Sequence, residues 1–259
     1  MSGFKEYLPG LDGDRLKIAV ISDIHSNLEA LEATLDAMPG IDSLWCLGDI
    51  VGYGSQPSEC ISRLRNLTMP LTVTAGNHDF GAAGSLTLDA FNLEGRAAIE
   101  WMRPRLSDEE RRWLKNPNRL DNDRATLLHA SPRDPTWEYV TTPEIASACF
   151  QYFNAELCFF GHTHLPMIYA KKGDAPVYRF RPAAGVKIFL KELGDRWMVN
   201  PGSAGQPRDH DPRASFLVFE PDEMSVFWHR VEYQFEITAA KIREAGLPLV
   251  LADRLAYGI

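Results

Sequence analysis

Leu16-Lys17-Ile18-Ala19-Val20-Ile21-Ser22-Asp23-Ile24-His25 is the stretch from which the rest of the chain can be read. Residues 16–21 form an apolar run of strand length that stops abruptly at polar, metal-competent side chains. Leu28, Leu31, Leu35 and Met38 then recur at helical spacing. Strand, reactive turn and amphipathic helix make the opening of a βαβ unit. The pattern returns four times. Apolar run 43–47 meets Gly48-Asp49, run 71–75 meets Gly76-Asn77-His78-Asp79, run 124–128 meets His129, and run 156–160 meets Gly161-His162-Thr163-His164.

Between these runs the signals are helical. Pro57 suits the first turn of a helix that carries Cys60, Ile61 and Leu64 inward. Leu88, Phe91, Ala98 and Trp101 mark a long helix, Ser107 with Glu110 makes a capping box, and residues 143–153 read as a further helix. Strand-like stretches follow at 167–170, 197–199, 215–219 and 225–231. Phe235, Ala239 and Ile242 then predict a helix that ends at Gly246. With no repeat, low-complexity tract or linker, the chain reads as α/β and as one domain over 1–259.

Composition narrows the function. A 259-residue chain with 45% hydrophobic and 24% charged residues is ordinary for a globular protein. Its formal charge of −8 argues against nonspecific nucleic-acid binding, which calls for a basic face. No apolar run approaches a membrane span, and the stretch 1–15 lacks the apolar core of a signal peptide. A cytoplasmic location is therefore expected. Cys46, Cys60, Cys149 and Cys158 form no CxxC pair, so buried free thiols are expected rather than disulfides or structural zinc.

Asp, Asn and His side chains gathered at strand ends are the ligands of divalent metals. Asp23 and His25 stand two residues apart, so an extended backbone would turn both toward one ion. Taken alone, this pair reads as a turn with a capping Asp. Asp49 can cap a loop or bridge two ions through its two oxygens. Asn77 can offer its amide oxygen where Gly76 permits a tight turn. His78 then projects beyond the ions, and Asp79 is placed to orient its imidazole and raise its pKa. A histidine such as His129 after an apolar strand is more often a core residue. His162 and His164, two apart, can serve different ions.

In order, these motifs resemble the calcineurin-like metallophosphoesterase family: D-x-H, G-D, G-N-H-[DE], H and G-H-x-H, spanning Asp23 to about Arg213. The resemblance implies an α-β-β-α sandwich of two mixed sheets with metals at the strand C-terminal ends. It assigns Asp23, His25 and His164 to one ion and Asn77, His129 and His162 to the other, with Asp49 bridging. His210 and His229 match no ligand position and are read as structural. Gly48-Asp49-Ile50-Val51-Gly52-Tyr53-Gly54 resembles the small bacterial and archaeal phosphodiesterase-like branch. The serine/threonine phosphatases and symmetrical dinucleotide hydrolases carry D-R-G where Gly52, Tyr53 and Gly54 stand.

Ser131-Pro132-Arg133-Asp134-Pro135 and the segment from Asn200 to Arg208 are also typical of that branch. Arg133 and Arg208 can hold phosphate oxygens, together with Asn77 and His78, or can pair with Asp134, Asp209 or Asp211. Trp137, Tyr139 and Phe180 can stack a base but are more often packing residues, and they stay outside the site. The expected protein is a dinuclear phosphohydrolase acting on a small phosphodiester or nucleotide. A metal-bridging hydroxide attacks in line, with His78 and Asp79 as the catalytic side chains. Two divalent ions per chain are implied, manganese or iron ahead of zinc or nickel. The alternatives are a protein serine/threonine phosphatase, a dinucleoside polyphosphate hydrolase, or a non-catalytic scaffold of the same fold. The scaffold predicts eroded ligands, and here none is missing.

Overall fold

Residues 16–38, 40–122 and 124–259 are described by a computed structural model, and the N-terminal reading of 1–15 falls outside them. Strand β1 (Ile18–Ile21) leads through α1 (Leu28–Asp36) to β2 (Ser43–Cys46), and α2 (Pro57–Arg65) leads on to β3 (Leu71–Val73). These three strands are parallel. Next come α3 (Asn77–Ala82), α4 (Leu93–Met102), α5 (Asp108–Trp113), β4 (Arg119–Asp121) and β5 (Ala125–Leu128). After α6 (Pro143–Cys149) the chain runs through β6 (Leu157–Phe159), β7 (Met167–Lys171), β8 (Tyr178–Phe180), β9 (Lys187–Phe189) and β10 (Arg196–Asn200). The hairpin β11 (Ala214–Glu220) and β12 (Ser225–Val231) precedes α7 (Phe235–Glu244) and α8 (Leu249–Asp253).

The strands form two mixed sheets of six, ordered β3-β2-β1-β11-β12-β9 and β4-β5-β6-β10-β7-β8. Alternation along each strand explains the layering. Ile18 and Val20 face one buried cluster with Trp45, Leu127, Leu157, Phe159, Leu217 and Trp228, drawn from both sheets. Ala19 and Ile21 face the opposite way, into a cluster shared with α1, α2, α4, α7 and α8. On the far side of the second sheet, Cys158 and Phe160 pack with Cys149, Phe150 and Phe153. The central parallel strands are buried on both faces, which is why they read as unbroken apolar runs. The fold is thus the expected α/β sandwich of two mixed sheets with flanking helices.

Several boundaries differ from the sequence reading. Leu88 and Phe91 do not extend α4, because Asn92 caps it by accepting from the Gly95 N–H at 2.8 Å. The helix expected over 143–153 is over by Cys149. The Ser107–Glu110 capping box is present. All four cysteines are buried and unpaired, with burial raising their thiol pKa values. Among the described residues no helix is long and apolar enough to cross a membrane.

Candidate metal centre

β1, β2, β3, β5 and β6 all point their C-terminal ends at one place, since the strands within each set run parallel. The reactive residues do not sit on the strands, however. Asp23, His25, Asp49, His162 and His164 lie in the turns beyond them with left-handed backbone, φ between 50° and 65°. The same-face argument for Asp23 and His25 therefore fails, because neither is extended. Asp and His tolerate this region better than most residues, at a cost of about 1–3 kcal/mol each. Such strain persists only where the surroundings hold it. The Asp23 N–H donates to the Gly48 carbonyl and His25 N–H to the Asp49 carbonyl, both at 3.0 Å.

Three overlapping groups result: Asp23 with His25 and His164; Asp49 with His129 and His162; and His25 with Asp49 and His78. Within each group the ligand-type atoms lie within 4.8 Å of one another, and every member is buried. His162 and His164 do fall into different groups. Asp49 belongs to two, with Oδ2 3.3 Å from His129 Nε2 and 3.7 Å from His25 Nε2. Its Oδ1 accepts from the His78 backbone N–H at 2.9 Å. Gly76 makes this approach possible, because a Cβ there would stand 2.1 Å from Asp49 Oδ1.

Main-chain carbonyls orient the rings. Nδ1 donates to Val51 in His25 (3.3 Å), to Leu47 in His129 (2.8 Å) and to Gln206 in His164 (2.5 Å). That tautomer turns the Nε2 lone pairs inward. His162 is reversed: its Nε2 donates to the Trp137 carbonyl at 3.2 Å and its Nδ1 faces inward. As a result His25 Nε2 faces His164 Nε2 at 3.1 Å, and His129 Nε2 faces His162 Nδ1 at 3.1 Å. With the rings neutral, as metal binding requires, acceptor faces acceptor. Asp23 Oδ1, 3.2 Å from His164 Nε2, is buried without a donor, and so is Asn77 Oδ1. A set of buried acceptors that lack donors fits a cation.

The chain's own charges are correspondingly perturbed. Burial disfavours the charged form of His129, but Asp49 outweighs it and raises the pKa to about 9. Burial likewise opposes ionisation of Asp23 and Asp49, and the neighbouring histidines override it and hold both carboxyls low. His162 drops to about 3 through burial and the nearby His129.

His78 and Asp79 differ from expectation. Asp79 does not touch the His78 ring: its Oδ1 accepts from Val51 N–H at 3.1 Å and its Oδ2 from Gly76 N–H at 3.0 Å. The three-residue spacing that opens α3 directs the carboxylate back onto the backbone as a cap. Nor is the His78 pKa raised; burial, with Arg208 nearby, lowers it to about 4 against the pull of Asp49. His78 Nδ1 is buried without a partner, and its ring meets Tyr53 at 4.5 Å and Phe91 at 5.2 Å. Asp79→Ala is therefore expected to cost about 1–3 kcal/mol of stability by orphaning two buried N–H groups. Chemical denaturation checks this, and an unchanged midpoint would remove the capping role.

The two arginines separate. Arg133 is engaged by both oxygens of Glu138, not by Asp134, and its guanidinium is committed there. Arg208 instead points inward, 5.6 Å from the Tyr53 ring centroid, with Nη2 donating to Gln206 Oε1 at 3.0 Å and Nε buried without a partner. Asp209 and Asp211 do not hold it, being paired with Arg181, Arg213 and Arg230. His229 stacks on Phe216 at 4.4 Å and His210 bonds Gly258 through its backbone, so neither joins the centre.

Two features change the sequence reading, which left Trp137 and Tyr139 outside the site and gave Gly52 no role there. Tyr139 stacks on His162 at 3.9 Å, and Trp137 meets Phe91 at 4.9 Å, forming an aromatic wall. Gly52, with φ of 120°, lies against the rings of His25 and His78, where a Cβ would come within 2.7 Å of both.

Comparison with known proteins decides the lineage of this geometry. Residues 16–224 match the calcineurin-like phosphoesterase superfamily domain. The chain belongs to that superfamily. It is accordingly a metallophosphoesterase, a hydrolase of phosphoric esters. A metallophosphoesterase from Sphaerobacter thermophilus is similar in structure, with 43% identity and a TM-score of 0.85, over 95% of this chain and all of that one. An uncharacterised protein from Methanocaldococcus jannaschii is 38% identical over 93% of this chain and 98% of its own length. A symmetrical bis(5'-nucleosyl)-tetraphosphatase from Baumannia cicadellinicola is 26% identical over 132 residues, about half of each protein (49% and 46%).

Proposed function

We propose that this metallophosphoesterase hydrolyses a small phosphodiester or nucleotide phosphate in the cytoplasm at a centre for two divalent ions. One observation carries the reading: two pairs of imidazole nitrogens face each other at 3.1 Å with their lone pairs inward, bracketing Asp49. Asp23, His25 and His164 would hold one ion and Asn77, His129 and His162 the other, with Asp49 shared. Ions held there supply Lewis acidity toward phosphoryl oxygens and lower the pKa of attacking water. The mixed nitrogen and oxygen donors favour manganese or iron over zinc or nickel.

The chain's own residues do the rest. Arg208 offers an unpaired Nε–H for a phosphoryl oxygen. Asn77 lies at the start of α3 beside His78. His78 supplies a buried, unpartnered ring nitrogen for hydrogen-bonding a phosphoryl or leaving-group oxygen. The partly exposed Tyr139 and the neighbouring Trp137 give an aromatic group somewhere to pack. The unpaired, buried thiols support the reducing compartment.

Hydrolysis of a dinucleoside polyphosphate is the second reading, favoured by the similarity to the tetraphosphatases over about half their length. Tyr53 stands where that group and the protein phosphatases carry Arg, so small diesters and nucleotides are expected to be better substrates than phosphoproteins. The test is metal-reconstituted protein assayed for kcat/KM on phosphodiesters, nucleoside phosphates, dinucleoside polyphosphates and a phosphoserine protein. A clear preference for the phosphoprotein would overturn the ranking, and turnover of none of them would overturn the function.

A further inference from the structure

We propose that Asn27 is a positioning residue for one of the two ion sites. It acts through the Gly205 carbonyl on the segment 203–206, which fastens both Asp23 and His164. The inference rests on the metal-centre reading and ties Asn27 to the group of Asp23, His25 and His164 alone.

The Asn27 side chain is buried, and all four hydrogen-bonding positions of its amide are in use. Its Oδ1 accepts from the Ala30 N–H at 3.1 Å, which caps α1, and lies 2.9 Å from the Thr238 hydroxyl of α7. Because a main-chain N–H can only donate, the Ala30 contact fixes which end of the amide is oxygen. The other end, Nδ2, donates to the Gly205 carbonyl at 2.7 Å and to the Tyr233 hydroxyl at 3.2 Å. Capping α1 requires only the oxygen, so the nitrogen serves a separate purpose.

Gly205 stands in the middle of a clamp on the metal-binding turn. Its N–H donates to the Asp23 carbonyl at 3.0 Å, and the Ser203 hydroxyl donates to that same carbonyl at 2.7 Å. The Gln206 N–H donates in turn to Ser203 Oγ at 2.7 Å, and the Gln206 carbonyl orients the His164 ring. A Cβ on Gly205 would stand 1.7 Å from the Ile24 carbonyl oxygen, so the segment lies directly on the turn that carries Asp23. Asp23 has a left-handed backbone, with φ of 56°, and such a conformation persists only where its surroundings hold it. By contrast, His129 and His162 are oriented by the Leu47 and Trp137 carbonyls, which lie outside this segment. The clamp therefore serves one ligand group and not the other.

Equilibrium dialysis against graded free manganese tests this with Asn27→Ser, whose hydroxyl can still cap α1 but is too short to hold Gly205. One of the two ions is expected to bind about 10–100-fold more weakly, the range for losing a group that orients a ligand. The other should stay within about threefold of wild type, because its ligands are held elsewhere. Adding Asn27→Ser to His164→Ala should weaken uptake little further, whereas adding it to His129→Ala should weaken both ions. Thr238→Val, which removes only the hydroxyl behind the amide, leaves the α1 cap intact and should weaken the same ion by a smaller factor. Thr238→Ser should keep wild-type uptake. Wild-type affinity for both ions in either Asn27→Ser or Thr238→Val would overturn the positioning role. Equal weakening of both ions would also overturn it, by making Asn27 a support for the fold. A wild-type protein that takes up no manganese would overturn it together with the metal centre. Because uptake is read and not turnover, failure to hydrolyse every ester would strike the phosphohydrolase reading separately.

Discussion

Asp49→Asn is expected to remove both ions and nearly all hydrolysis, through a change of one atom. Asp49 Oδ1 accepts the His78 backbone N–H, and an Asn oxygen can keep that bond, so the turn survives. The other position, facing His129 and His25 Nε2 at 3.3 and 3.7 Å, would become an NH₂ group. An acceptor shared by two ligand groups is thereby replaced by a donor that repels cations. Elemental analysis should fall from two ions per chain to less than one. Metal-dependent phosphoryl stabilisation is worth several kcal/mol, so kcat/KM should drop by roughly 10³-fold or more. Two ions retained at saturation with near wild-type turnover would sink the shared role of Asp49.

His78→Ala should behave differently. The backbone N–H that reaches Asp49 is kept, so the substitution removes an imidazole without releasing the centre. Metal content should stay near wild type while kcat falls about 10²–10⁴-fold, the range for losing a side chain that hydrogen-bonds the phosphoryl or leaving-group oxygen. The loss should shrink for esters with nitrophenolate leaving groups, which depart without protonation. The structure also sharpens the alternative, because His78 falls in a metal-competent group with His25 and Asp49. If His78→Ala lost metal as readily as His129→Ala, His78 would be a ligand. If turnover were undiminished for good and poor leaving groups alike, it would have no catalytic role.

Much of this protein was legible in its sequence because its signals are local. Apolar runs long enough for strands, each halted by Asp, Asn, Gly or His, marked β1, β2, β3, β5 and β6, and helical spacing marked α1, α2 and α7. Burial on both faces makes such strands continuous rather than alternating, so they stand out in one dimension. The short edge strands β4, β8 and β9 went unread, since three residues that are partly or largely exposed carry no period. The helix α3, which supplies both Asn77 and His78, also went unread, because six mostly buried residues are too few to show helical spacing.

Residue types at strand ends marked Asp23, His25, Asp49, Asn77, His162 and His164 as metal-competent, and the family resemblance added His129 and divided the set between two ions. Which nitrogen each ring turns inward depended on carbonyls of Val51, Leu47, Trp137 and Gln206, far apart in the chain. Asp79 was assigned to His78 by adjacency, yet the helix cap claimed its carboxylate. Arg133 and Arg208 looked equivalent until Glu138 bound one and left the other facing the site. Arg254 gave no signal at all. It lies 6.0 Å from the Tyr53 ring, a proximity that only packing of the C-terminal helices creates. Local chemistry set which residues could bind and react; the orientation of their atoms, and the pairing of their charges, was decided by tertiary contacts that no short stretch of sequence contains.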